Sequence, residues 1–428
     1  MKRVLLALAV AVALTGGWLV APEPVIVDDA PGLEPAAAAA AVCPLRLDRT
    51  SDGKLTIASS LIAPARITVG NAGSILSDQS VLVDDAGGAA VLFGELTIGG
   101  LAGAFVEFGV TGAGAATVSR GEAGVTAVSC PSLIRTTSLI TGGSTRNAEP
   151  LELILINPYG SDAVVSVESS SEIGADSAEE LSSVVVPARS TVTRDLSTLL
   201  PLRSRLSLAI TPIRGLVHAF VEGSGGGDRV VIEHVDPRSE WVTPVPRFEG
   251  QQALLVISTN SPVEVSVRVD GWSGGVLTEG VFSAVIPPRG QVEIPLSDFE
   301  IPLDVAQILA DGPVAVAMVV EGDAGRAVSP ANAGPHSEWL MPGPGSAGSV
   351  AWIGVPGEVD AIVEFLSLSA GGQSFTVDAP AGTLTAVPLE GQVIGYTLRS
   401  DSPITVLWSV SDETGIGLGA PTPLPGGE

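Results

Sequence analysis

Ala253-Leu-Leu-Val-Ile257, Thr259-Asn260-Ser261-Pro262 and Val263-Glu264-Val265-Ser266-Val267-Arg268-Val269 read in succession as strand, turn and strand. Four valines at alternate positions, separated by Glu, Ser and Arg, give the last segment one apolar and one polar face, the period of a half-buried β-strand. Asn, Ser and Pro end the first strand because they favour turn geometries and Pro cannot donate to a ladder. The device also stands earlier in the chain: Leu151-Glu-Leu-Ile-Leu-Ile156 breaks at Asn157-Pro158-Tyr159-Gly160 and resumes as Ala163-Val-Val-Ser-Val-Glu168.

Outward from these hairpins the likeness continues. Val186-Pro187-Ala188-Arg189 matches Ile286-Pro287-Pro288-Arg289, an offset of 100 positions (287 minus 187), and Leu196-Ser197 and Leu296-Ser297 keep it. Ser239-Glu240-Trp241-Val-Thr-Pro244 returns as Ser337-Glu338-Trp339-Leu-Met-Pro342, each phrase standing where one segment gives way to the next. Ala104-Phe105-Val106-Glu107, Ala219-Phe220-Val221-Glu222 and Met318-Val319-Val320-Glu321 mark a later strand, with Ile404 to Val410 in the corresponding place of a fourth, degenerate copy. Self-similarity at this spacing marks a chain of repeated units. The expectation is an all-β protein: a tandem array of about four immunoglobulin-like β-sandwich units after an N-terminal apolar helix. The boundaries read as a signal peptide or signal anchor at 1–22, an Ala/Pro-rich linker at 23–42, units at 43–131, 132–245, 246–343 and 344–420, and a tail at 421–428. Trp241, Pro244, Trp339 and Pro342 are the expected interdomain junction, with the ring packed between units and the proline stiffening the connection.

Composition agrees with short strands and frequent turns: 45% hydrophobic but only 4% aromatic, with 51 Gly and 32 Pro in 428 residues. Forty-seven acidic against 21 basic residues give a net charge of -26, which repels nucleic acid and leaves little basis for neutralising phosphates. Lys2 and Arg3 precede Val4 to Ala21, a run without a charge, in the pattern of an export signal. Pro22 makes a poor first mature residue, so both an uncleaved anchor and a cleaved signal stay open, with everything after Pro22 outside the cytoplasm. The two cysteines, Cys43 and Cys130, are expected to pair as a disulfide in an exported chain.

Candidate chemistry is sparse. Gly271-Trp272-Ser273-Gly274-Gly275 has the letters of a nucleophile elbow, but strand-like sequence flanks it on both sides where the elbow needs a following helix. His218, His234 and His336 have no metal-site spacing, so no metal or cofactor is expected. Asp84-Asp85, Asp270, Asp311 and Asp323 read as turn residues rather than calcium ligands. Glu107, Glu222 and Glu321 read as strand-end glutamates facing water, in different units and too far apart for paired-carboxylate hydrolysis. Gly223-Ser224-Gly225-Gly226-Gly227-Asp228 lacks the lysine and helix of a phosphate loop and reads as a hairpin tip. Trp272, Trp352 and Trp408 are either core residues or stacking surfaces for sugar rings.

The apolar N-terminal segment, the strand-Asn-Pro turn at Asn157-Pro158, the Val-Pro-x-Arg turns and the Trp-x-x-Pro phrases together resemble an uncharacterised actinobacterial family of exported β-rich proteins, a domain of unknown function. The resemblance implies an envelope location and assigns no activity. The expected role is that of a non-enzymatic exported scaffold, spacer or protein-interaction module of the cell envelope, membrane-anchored or secreted. A glycan-binding envelope protein using loops at the sandwich ends is the alternative. Partners are expected among envelope proteins or glycans, with the membrane reached through the N-terminal segment if it stays uncleaved.

Overall fold

Val265, Val267 and Val269 turn their side chains into a core while Ser266 and Arg268 face water, as their alternation requires. A computed structural model describes residues 39–424 apart from 47–51, 60–62, 72–73, 84–87, 93–100, 111, 122–123, 131–132, 147–149, 226–227, 323–324, 344–347, 370–371, 390–392 and 413–414. All of these belong to one compact unit, Ala37–Glu428. The expected signal segment, most of the linker, Asp84, Asp85 and Asp323 lie outside the described residues.

The chain is built almost wholly of antiparallel strands. The first sandwich holds β1 (Ala39–Arg46), β2 (Asp52–Ser59), β3 (Ala63–Asn71), β4 (Ser74–Val83), β5 (Gly88–Leu92), β6 (Leu101–Phe108), β7 (Ala113–Gly121) and β8 (Gly124–Ser129), in sheets ordered β1-β6-β3-β4 and β5-β2-β7-β8. In the second, β9 (Ser138–Gly143), β10 (Leu151–Asn157), β11 (Ala163–Ser171), β12 (Gly174–Asp176), β13 (Val184–Val186), β14 (Ser190–Asp195), β15 (Leu206–Arg214), β16 (His218–Gly225) and β17 (Asp228–Glu233) form β9-β15-β11-β12, with β13 also on β11, and β14-β10-β16-β17. The third pairs β18 (Arg238–Pro244) and β19 (Gln251–Ser258) with β20 (Val265–Ser273), β21 (Val276–Ile286), β22 (Gln291–Pro295), β23 (Val305–Gly322) and β24 (Gly325–Pro330), as β18-β23-β20-β21 and β22-β19-β23-β24. The fourth has β25 (His336–Pro342), β26 (Ser349–Gly354), β27 (Ala361–Ser367), β28 (Phe375–Ala379), β29 (Leu384–Pro388), β30 (Gly395–Asp412) and β31 (Gly415–Gly419), as β25-β30-β27-β28 and β29-β26-β30-β31. A last short strand, β32 (Thr422–Pro423), lies beside β25.

Pairing therefore follows one order in all four sandwiches. In the third and fourth, the sixth and seventh strands are a single long strand that changes sheets at Asp311-Gly312-Pro313 and at Asp401-Ser402-Pro403. Proline cannot donate, so the ladder ends there, and a corner between the two sheets is the result. Asp311 Oδ1 accepts from the Ser266 N–H at 2.8 Å and Asp401 Oδ1 from the Ile362 N–H at 2.8 Å, fixing equivalent corners. The Val-Pro-x-Arg turn is a second shared device. Arg189 (φ 52°), Arg289 (φ 51°) and Gly382 (φ 62°) occupy the left-handed region at equivalent places. Their N–H groups donate to the Tyr159, Ser261 and Val355 carbonyls at 2.9, 2.9 and 2.8 Å.

Three sequence expectations need correction. The Ser-Glu-Trp phrases open sandwiches three and four instead of closing two and three, because β18 pairs with β23 (Trp241 opposite Ile308) and β25 with β30 (Trp339 opposite Leu398). The sandwiches accordingly span 39–129, 138–233, 238–330 and 336–423, and residues 39–42 of the expected linker belong to β1. The fourth copy has the same strand order as the third despite its divergent sequence. The strand order also departs from the immunoglobulin arrangement, in which the first strand lies beside the second and the last beside the sixth. Here the first strand lies beside the sixth and the seventh beside the second.

The four sandwiches close into a ring. The first strand of each packs against the next sandwich: Val42 against Ile154, Ile156 and Phe220; Leu139 against Ala315; the Val242 carbonyl against the Thr405 hydroxyl; and Leu340 of the fourth against Ala58 of the first. The last link joins the two ends of the array, reinforced by a hydrogen bond from the Ser129 hydroxyl to the Ala420 carbonyl. Cys43 on β1 and Cys130 just after β8 form a disulfide that ties together the two sheets of the first sandwich.

Candidate functional site: the axial cavity

The eighth strands, β8, β17, β24 and the β31 of the fourth sandwich, pack on one another around the centre of the ring. Val125, Val230, Ala327 and Ile416 meet there and leave almost no space. Gly417 has to be glycine, since a Cβ would stand 2.7 Å from the Ala127 nitrogen. Each of these strands then leads into a connecting segment, and the four segments surround a cavity of about 460 Å³.

The cavity draws on every sandwich: Phe108 and Ser129 from the first, Glu233 from the second, Trp241 and Pro330 from the third, Trp339 and Thr422 from the fourth. Its walls are fixed by hydrogen bonds to backbone. The Trp241 Nε1 donates to the Val314 carbonyl at 2.8 Å, and the Trp339 Nε1 to those of His336 and Ile404 at 3.1 and 3.2 Å. Asn332 Nδ2 donates to Thr405 Oγ1 and the Val406 carbonyl, both at 2.7 Å. Asp236 Oδ1 accepts from Ser138 at 2.7 Å, and the Val235 backbone pairs with Leu139. Asp236 and Arg238 stand exposed at the rim, while His234 is buried. Glu233 is the last residue of β17 and its carboxyl has no hydrogen-bond or ion-pair partner among the described residues. Burial holds that carboxyl well above the usual carboxylate range.

Sequence-singled residues fall in varied places. Trp241 and Trp339 come together at the cavity, each packed in the core of the sandwich it opens rather than between units. Pro244 and Pro342 end their strands opposite Val305 and Gly395. Among the histidines, His218 is buried edge-on to Phe105 at 5.9 Å and His336 lies edge-on to Trp339 at 5.2 Å. No group of three His, Cys, Asp or Glu side chains converges as a metal site among the described residues. Asp270 pairs with Arg268 at 2.9 Å and accepts from the Gly280 N–H at 2.7 Å, bracing the β20–β21 hairpin.

The glutamates are corrected. Glu222, 1% exposed, is buried against Arg229 at 2.9 Å, and that guanidinium also donates to Ser119 of the first sandwich at 2.6 Å. Glu321 is half-buried between Arg205 (2.7 Å) and Arg326 (3.9 Å), at the contact of sandwiches two and three. Glu107 lies on the sixth strand, not the seventh, so its sequence match to the others is out of register. Gly271 to Gly275 form a β-hairpin tip whose Gly275 N–H donates to the Gly382 carbonyl of the fourth sandwich at 3.1 Å. Trp272 and Trp408 are buried, and Trp352 is spent on Phe248, edge-on at 5.5 Å, and on Ser409 Oγ at 2.9 Å. Sequence reasoning missed the cavity and Glu233. The one signal was the Glu-His pair shortly ahead of the first Ser-Glu-Trp phrase, and nothing local marks it as facing three other units.

No curated protein matches the chain. Among solved structures it is similar to the α-L-rhamnosidase of Streptomyces avermitilis complexed with L-rhamnose, at 10% identity and a TM-score of 0.16 over 74% of this chain. The chain spans 45% of that enzyme's length, and likeness at this level carries no argument about fold or activity. A family of unknown function, DUF5719, matches residues 85–325. That span takes in parts of the first and third sandwiches and all of the second, more than half of the chain, and the chain belongs to this family.

Proposed function

We propose that the protein is a non-enzymatic exported platform of the cell envelope, a rigid ring of four immunoglobulin-related sandwiches, repeated in tandem, that presents its loops to protein partners. The observation that carries this reading is ring closure between Leu340 and Ala58, which makes a compact body of the array and argues against an extended spacer. The immunoglobulin relation rests on the pairing of the second strand with the fifth and of the third with the sixth, which agrees with that fold, while the first and seventh exchange edges and the fourth lies beside the third. Export is supported by the disulfide, which persists in oxidising compartments. The glycan-binding alternative loses its best residues, because Trp272, Trp352 and Trp408 are committed to packing. The test is retention of purified envelope polymers and of solubilised membrane proteins on the immobilised full chain. Saturable protein binding that free chain competes away supports the platform. Retention of polymer alone would favour the glycan-binding reading, and retention of neither would overturn both.

A further inference from the structure

We propose that the axial cavity binds a small organic cation, an ammonium group on an apolar body, with the Glu233 carboxylate as its counter-ion. At about 460 Å³ the cavity lies in the size range of small-molecule sites. Accessible apolar surface comes from Ala113, Val235, Ala333, Ala420 and Pro423, backed by Phe108, Trp241 and Trp339, which are almost wholly buried behind it.

Glu233 is what these walls leave uncompensated. Asp236 has Ser138 and Asn332 has Thr405, but the Glu233 carboxyl has no partner among the described residues and stands half-buried in the cavity wall. A partly desolvated carboxylate without a counter-ion carries a cost, and a bound cation lowers it. An anion would meet Glu233, Asp236 and a chain of net charge -26, while a neutral ligand would leave the carboxyl as it was. His234, Asp236 and Arg238 are the other ionisable groups of the lining. Arg238 is exposed at the rim and forms no ion pair with Glu233. Binding ionises Glu233, so affinity rises with pH through the range in which the free carboxyl titrates. The inference does not depend on the protein being a platform, since a small ligand in the ring axis is compatible with any use of the outer surface.

The test is titration of the full-length protein with benzyltrimethylammonium and benzylamine, against benzyl alcohol and benzoate as controls of similar shape, by calorimetry. Both cations are expected to bind saturably at one site and more tightly at pH 8 than at pH 5, with the controls at least about tenfold weaker. Glu233→Gln is expected to weaken cation binding about tenfold or more with thermal unfolding still cooperative. Glu264→Gln, on the outside of the third sandwich, is expected to change nothing. A readout that needs no variant is carbodiimide labelling of Glu233 followed by peptide mass analysis, which benzyltrimethylammonium should slow. Equal binding of cation and alcohol, no binding of either cation, unchanged affinity in Glu233→Gln, or labelling indifferent to the cation would each overturn the proposal.

Discussion

Trp241 and Trp339 donate their indole N–H to the carbonyl just after the corner proline of their own sandwich, Val314 and Ile404. Each is almost wholly buried, so the repeated phrase is a core anchor for the first strand of a sandwich. Trp241→Ala should cost about 3–5 kcal/mol, while Trp241→Phe, which keeps most of the volume, should cost less, a contrast that urea unfolding measures. Glu222→Ala should cost a similar 3–5 kcal/mol or so, because Arg229 would stay buried without its partner. Glu233 runs the other way. Its folded pKa is raised, so its contribution to stability is full below the unfolded value and is lost as pH rises through the folded one. Glu233→Gln should therefore be more stable than the parent at neutral and alkaline pH and match it in acid, as thermal melts across pH would record.

Strand pairing decides what the sequence left ambiguous. The alternation of Val265 to Val269 and the Val-Pro-x-Arg turns were legible because both are local: one is a side-chain period, the other a backbone conformation that Arg189, Arg289 and Gly382 share, whereas Val263, read into the same strand, stands exposed ahead of it. Which sheet the Ser-Glu-Trp strand joins was not legible, because that depends on partners some sixty or seventy positions away (241 to 308, 339 to 398). The same limit misaligned Glu107, whose Ala-Phe-Val-Glu phrase occurs on a sixth strand in one sandwich and a seventh in the next. The cysteine pairing was legible from two cysteines and the expectation of export, and the disulfide is formed. Reducing it should destabilise the first sandwich by up to about 4–5 kcal/mol, since the closed loop spans 87 positions, and should bring the denaturation midpoint below that of the oxidised protein.

Ring closure belongs to the whole molecule and left almost no mark in the sequence, because small residues without a motif make it: Ala58 against Leu340, Gly114 near Leu340 and Thr422, Gly417 against Ala127. Gly417→Val is expected to force β31 away from β8 and lower the melting temperature, with each sandwich keeping its own strands. The axial cavity exists only because the ring closes, so Glu233 could not be recognised as a site residue from its own neighbourhood. Closure itself is tested most directly by small-angle X-ray scattering on residues 37–428, the compact unit. A closed body of this length should have a radius of gyration of about 21 Å, whereas four units of about 13 Å strung in line at roughly 35 Å spacing would give about 40 Å. A value near the first is the expected result, and a value near the second would contradict the ring.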